Sequence, residues 1–174
     1  MPQSRRIYII GFMGSGKTTT GKKLAAGLHW SFIDLDRAIE DTVGKTISEI
    51  FSESGEEFFR KLEAEILRNL DIQRDIVVSV GGGAPCFSDN MDFMNKTGLV
   101  IYLRMTAGQL KSRLSGESDK RPLLKDIAVK DMQTYIGKKL SEREKYYNQA
   151  SIIIDAISIN IKTLINRVKL KLQD

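Results

Sequence analysis

Residues 11–18 read Gly-Phe-Met-Gly-Ser-Gly-Lys-Thr, and no other stretch constrains the fold as much. The run fits G-x-x-x-x-G-K-[ST]. In that pattern the glycines let successive backbone N–H groups turn inward around a polyphosphate. Lys17 then reaches the β and γ phosphates, and Thr18 offers its hydroxyl to Mg²⁺. A β-branched run at 6–10 precedes the loop and a helical pattern over 17–28 follows it. The loop therefore opens a helix whose free N–H groups and positive dipole end favour an anion. The nearer rival is a dinucleotide-binding loop, because Gly14 and Gly16 resemble its start and acids lie about 20 residues on. Its third glycine would fall at Thr19, and Lys17-Thr18 suits phosphate and metal better.

Strand and helix patterns alternate along the rest of the chain. Strands are expected at 31–34, 76–80, 99–103 and 151–155. Helices are expected at 35–43, 46–52, 56–70, 91–95, 107–114, 131–149 and 160–172, with a break at Gly44 and a polar loop at 115–125. Alternation of this kind argues for an α/β fold, a parallel sheet covered by helices on both faces, with ligands beyond the carboxyl ends of the strands. The 174 residues suit one domain, 1–174. One cysteine, Cys86, and one histidine, His29, exclude an intrachain disulfide and Cys-rich or multi-histidine metal sites. They also weaken a Ser-His or Cys-His hydrolase reading, and both residues are read as structural. No apolar run approaches the roughly 20 residues a spanning helix needs, and 7–10 is too short for a signal-peptide core. The expectation is a cytoplasmic protein without a membrane partner. Of 27 Lys/Arg and 22 Asp/Glu, residues 88–174 hold 16 and 10, so the second half is basic and points to an anionic partner.

Three features offer an acceptor site beside the phosphates. Asp34-Leu35-Asp36 ends the second expected strand, where residues i and i+2 share a face. One carboxylate is placed to hold Mg²⁺ through water, the other to bind or deprotonate a hydroxyl; the plainer reading is a helix N-cap plus a solvated acid. On the helix from Glu56, Glu63 lies within the apolar stripe of Phe59, Leu62, Ile66 and Leu70. A core-facing acid needs a partner, and Arg60, one turn earlier, supplies it while keeping its guanidinium for a carboxylate. On the helix from Asp131, Arg143 lies on the stripe of Ile136, Leu140 and Tyr147, which implies an anion opposite it. Gly81-Gly82-Gly83 ends the strand at 76–80 and permits close backbone approach. Ser79 just before it is placed to hold a metal-bound water. The loop 115–125 carries Lys120, Arg121 and Pro122, and a mobile arginine over the phosphates would neutralise charge and exclude water.

Together these pieces resemble the shikimate kinases, small P-loop kinases of aromatic amino-acid biosynthesis, over roughly residues 7–151. The matching segments are 11–18, Asp34-Leu35-Asp36, Phe59-Arg60-x-x-Glu63, Ser79-Val80-Gly81-Gly82-Gly83, Arg121-Pro122-Leu123-Leu124 and Arg143-Glu144-x-Tyr146-Tyr147. The resemblance implies a three-layer α/β/α fold of the nucleoside monophosphate kinase type, with five parallel strands in the order 2-3-1-4-5 and a mobile lid. It implies that Gly14, Ser15, Gly16, Lys17, Thr18, Thr19, Arg113 and Arg121 bind ATP. The segment after Asp155 would border the adenine, with no residue assigned. The shikimate-binding part would cover about 35–62. Asp36, Arg60, Gly81, Gly82, Gly83 and Arg143 would hold shikimate between Phe51 and Phe59, the two arginines on its carboxylate and Asp36 on its ring hydroxyls. Mg²⁺ would sit at Thr18 and, through waters, at Asp34 and Ser79. The implied reaction passes the ATP γ-phosphoryl group to the 3-hydroxyl of shikimate, with Lys17, Asp36 and Arg121 at the reacting groups, in a monomer.

Two rivals remain at this level. A kinase for another small hydroxy acid, such as gluconate, shares the loop and the carboxylate; the triple glycine with separated Arg60 and Arg143 favours shikimate. A non-catalytic nucleotide-binding regulator touching nucleic acid is disfavoured by intact Lys17, Asp36 and Arg121. The basic C-terminal helix also shows no aromatic-basic interleaving for base stacking.

Overall fold

The computed structural model describes residues 5–70, 73–115, 127, 128 and 130–173. Five strands form one parallel sheet: β1 (Arg6–Ile10), β2 (Ser31–Asp34), β3 (Ile76–Ser79), β4 (Leu99–Arg104) and β5 (Ile152–Asp155). Their order is β2-β3-β1-β4-β5, as expected. Seven helices connect and cover them: α1 (Lys17–Leu28), α2 (Leu35–Val43), α3 (Ile47–Asn69), α4 (Asn90–Thr97), α5 (Ala107–Leu114), α6 (Met132–Tyr147) and α7 (Ile161–Lys171).

Strand alternation divides the interior into two cores, one on each face of the sheet. Ile7, Ile9, Val77 and Ile101 point to the face covered by α1, α5 and α7. Tyr8, Ile10, Val78 and Tyr102 point to the face covered by α2, α3 and α4. The helix α6 feeds both: Met132 and Ile136 enter the first core, Tyr147 the second, and Leu140 touches each.

Local chemistry sets the boundaries. Thr46 with Glu49, and Thr106 with Gln109, form reciprocal capping boxes at the starts of α3 and α5. Gly44 ends α2 at φ 74°, and His29 ends α1 in the left-handed region, donating its backbone N–H to α1 carbonyls. That gives His29 the structural task expected of it. The two helices expected at 46–52 and 56–70 are one element bent at Gly55, whose φ of 79° and ψ of 173° are not helical. A short 3₁₀ turn, Ala84–Cys86, follows the triple glycine; proline at its start made it unreadable as a helix. No helix among the described residues is long and apolar enough to cross a membrane. The loop expected at 115–125 lies, apart from Ser115, outside the described residues, and so does Arg121.

Candidate active site

The phosphate end is built by backbone. Gly16 caps α1 at φ 91°, with no side-chain cap and no acid in the first turn, so the first N–H groups of α1 face an open cleft. Gly11 has φ 150°, and a Cβ there would lie 2.8 Å from the Leu103 carbonyl oxygen and from Ser15 Oγ. Only glycine passes that point. Lys17 Nζ donates to the carbonyls of Gly11 and Phe12, at 2.9 Å each, which curls the side chain back over the loop. Arg113 reaches across from α5 and donates to the Gly14 carbonyl at 3.2 Å.

The cleft above the loop has a volume of about 460 Å³, and Lys17, Thr18, Asp34, Asp36, Gly81 and Arg113 line it. A second cavity, about 330 Å³, shares Gly16, Thr19 and Arg113 with the first and is completed by Ala156, Ile157 and Ile159. The segment after Asp155 thus lies where a base attached to the polyphosphate would extend. Its residues are apolar and carry no spacing pattern, so only the fold brings them to the loop.

The acids are arranged differently from the strand-face expectation. β2 ends at Asp34, which is the N-cap of α2 and accepts from the Arg37 N–H at 3.5 Å. Asp36 lies in the first turn of α2, so the two do not alternate along a strand. The helix begins at Leu35, where it was expected, and for Asp34 the plainer reading, a helix N-cap, is the one found. Both carboxylates still line the cleft. Thr18 Oγ1 donates to Asp34 Oδ2 at 2.6 Å, and Asp34 pairs in register with Ser79 on β3. Thr18, Asp34 and Ser79 therefore meet at adjacent strand ends and form a hard-oxygen set. Such a set suits Mg²⁺, which keeps waters and substrate phosphates as ligands. Among the described residues no group of three or more His, Cys, Asp or Glu could hold a metal by itself. Asp36 is open to the cleft but enclosed by its walls. That loss of bulk water raises its pKa, Asp34 adds to the rise, and Lys17 and Arg60 oppose it.

The charges singled out on α3 lie against Gly81 and Gly83, and the one on α6 lies over the Phe12 ring. Glu63 has no exposed surface and Arg60 is 6% exposed. Arg60 Nη1 donates to Glu63 Oε2 at 2.8 Å. Its Nε and Nη2 donate to Glu56 at 3.3 and 3.1 Å, a partner not expected, although the i,i+4 spacing makes it readable. Burial pushes the Glu63 carboxyl up to about 7 against the pull of Arg60. Arg60 also lies over the rings of Phe59 and Phe87, at 5.1 and 4.7 Å, and Phe59 packs on Phe51 at 4.6 Å.

The triple glycine is the floor between these groups. A Cβ at Gly81 would lie 2.7 Å from Glu63 Oε1 and 3.1 Å from Asp36 Oδ1. One at Gly83 would fall inside the Arg60 guanidinium. Arg143 is 9% exposed and sits over the Phe12 ring at 5.1 Å. Its Nη1 is buried with no hydrogen-bond partner, as is Glu63 Oε1. A buried guanidinium nitrogen without an acceptor is costly unless a ligand supplies one. Sequence reasoning placed Tyr147 on the apolar stripe without foreseeing that its hydroxyl donates to the Gly82 carbonyl, and it missed Asn90, which is fully buried and donates to the Ala84 carbonyl at 3.0 Å. Cys86 has its thiol pushed up by burial.

A family model described as shikimate kinase matches residues 13–173. A curated shikimate kinase of Parabacteroides distasonis is 43% identical over 152 residues, which cover 87% of this chain and 88% of that one. A solved shikimate kinase from Bacteroides thetaiotaomicron superposes with a TM-score of 0.87 at 38% identity, over 98% of this chain and 99% of that one. A shikimate kinase from Acinetobacter baumannii, solved in complex with shikimate, gives 0.85 at 30% identity, over 98% and 94%.

Proposed function

The chain belongs to the shikimate kinase family, and from that premise we propose how its own residues carry out the ATP-dependent phosphorylation of shikimate. ATP lies with its phosphates over the loop 11–18 and its base toward Ala156 and Ile157, with Arg113 between. Shikimate lies over Gly81, Gly82 and Gly83, its carboxylate between Arg60 and Arg143 and its 3-hydroxyl toward Asp36. The observation that carries this placement is the buried Arg143 Nη1 with no acceptor, held over the Phe12 ring. The paired arginines and three glycines favour a flat ring acid over an open-chain acid such as gluconate.

Transfer is in line. The acceptor oxygen forms a bond to Pγ as the bond from Pγ to the ADP oxygen breaks, and the hydroxyl proton leaves toward Asp36. A loose transition state needs little prior deprotonation, so the first task of Asp36 is to orient the hydroxyl. Its raised pKa makes it a better proton acceptor than an ordinary aspartate. Lys17 neutralises charge on the phosphates. Arg121, outside the described residues, is assigned to the transferred charge by sequence alone. Thr18, with Asp34 and Ser79 through waters, would hold Mg²⁺, which would supply positive charge against the phosphates. All these groups come from one chain, which we propose acts as a cytoplasmic monomer.

Asp36→Asn tests the assignment. It should lower kcat on the order of 10²-fold or more while ATP affinity stays within about threefold, measured by coupled ADP release and nucleotide titration. A kcat within twofold of the parent would remove Asp36 from the reacting groups.

A further inference from the structure

We infer that Tyr147 is a positioning residue for the acceptor: it fixes the triple-glycine floor at a set distance from the phosphate loop. The inference rests on the placement of shikimate proposed above.

Tyr147 is the last residue of α6 and has no exposed surface. Its ring packs against Tyr102 at a centroid distance of 4.9 Å, which leaves the phenol little freedom. Its hydroxyl donates to the carbonyl of Gly82. On its other side Gly82 abuts the phosphate loop: a Cβ there would lie 3.1 Å from the Gly11 oxygen and 3.2 Å from the Met13 nitrogen. Gly82 is therefore clamped between a phenol and the loop that carries ATP. Burial pushes the phenol pKa up, so it remains a neutral donor.

The same helix holds the acceptor by its other group. Arg143 precedes Tyr147 by four residues, so the two share a face of α6, and Arg143 acts on the phenol electrostatically. Arg143 also lies over the Phe12 ring of the phosphate loop. One turn of helix thus sets two coordinates: where the carboxylate binds, through Arg143, and how high the glycine floor stands, through Tyr147. The downstream end of the floor is pinned separately, by Asn90 on the Ala84 carbonyl and Arg68 on Asn90. The Gly81 and Gly83 carbonyls accept from the Ala84 and Cys86 N–H groups, whereas the Gly82 carbonyl accepts from the phenol. Small misplacements of a reacting group are expensive in rate.

The test is Tyr147→Phe, which keeps the ring and removes the hydroxyl, with Tyr102→Phe as the packing control. Tyr147→Phe should raise the KM and the calorimetric Kd for shikimate about 10-fold, with the KM for ATP within twofold. Tyr102→Phe should leave both KM values within twofold. A merely structural loss would lower the titration stoichiometry and the melting temperature, not the affinity of the folded fraction. An unchanged shikimate Kd in Tyr147→Phe, or an equal rise in Tyr102→Phe, overturns the inference. A parent protein that turns over ATP but leaves shikimate untouched overturns the proposed function first, and this inference with it.

Discussion

Glu63 shows how much one side chain can hold in place. It presents one carboxylate oxygen to Arg60 at 2.8 Å and keeps the other buried without a partner, against the Cα of Gly81. Its pKa of about 7 means that the folded protein retains this proton long after the unfolded chain has released it near 4.5. Its contribution to stability therefore falls as pH rises from about 4.5 to about 7. Binding runs the other way: above about 7 the ionised carboxylate anchors Arg60, and below it that anchor is lost. We expect kcat/KM for shikimate to show an acid limb near pH 7. Glu63→Gln should abolish that limb and leave kcat/KM low on both sides of neutrality, because the titrating carboxylate that anchors Arg60 is gone. A pH profile identical in the two proteins would contradict this. Glu63 was legible in the sequence because an acid on a helical apolar stripe has few explanations. Its unpartnered oxygen was not, since that depends on a glycine 18 positions away in the chain coming within reach.

At the scale of elements, α1, α3 and α6 divide the labour. The N-terminus of α1 is the proposed phosphate site, α3 carries Arg60 with its two acids, and α6, which packs into both cores, carries Arg143. Arg143→Ala separates these roles. It removes a charge-assisted contact to the acceptor carboxylate, so shikimate affinity should fall roughly 10- to 100-fold while ATP affinity stays within about threefold, as titration calorimetry on each ligand would show. Equal losses for both ligands would take Arg143 out of the acceptor pocket. Helix limits were readable from caps and glycines, at Thr46, Gly44 and Thr106 for instance. For Asp34 and Asp36 the sequence left two readings open, a shared strand face and a helix N-cap, and the start of α2 at Leu35 decides for the second. Asp34 does both jobs, capping α2 and meeting Thr18.

At the scale of the whole molecule, the sheet order places every group of the cleft. With β1 between β3 and β4, the phosphate loop leaves the centre of the sheet, the triple glycine leaves its neighbour, and Asp34 stands one strand further on. A parallel sheet was readable from the alternating strands and helices, but its order came only from the resemblance to the shikimate kinases. The resemblance pointed to the segment after Asp155, but its individual cavity residues were not readable, because Ala156, Ile157 and Ile159 carry no chemistry of their own and matter only through their neighbours. The basic bias of the second half is partly absorbed by Arg113, which lines the cleft, and by Arg143, buried over the Phe12 ring; the exposed lysines of α7 have no part in it. The central claim is that this cleft moves a phosphoryl group from ATP to shikimate. The direct measurement is ADP release with Mg²⁺ and ATP in the presence of shikimate, of gluconate and of neither, with the phosphorylated product identified by mass and ³¹P NMR. The account predicts shikimate-dependent turnover yielding one monophosphate on the 3-hydroxyl. Turnover with gluconate and none with shikimate, or ATP hydrolysis indifferent to both, would contradict it.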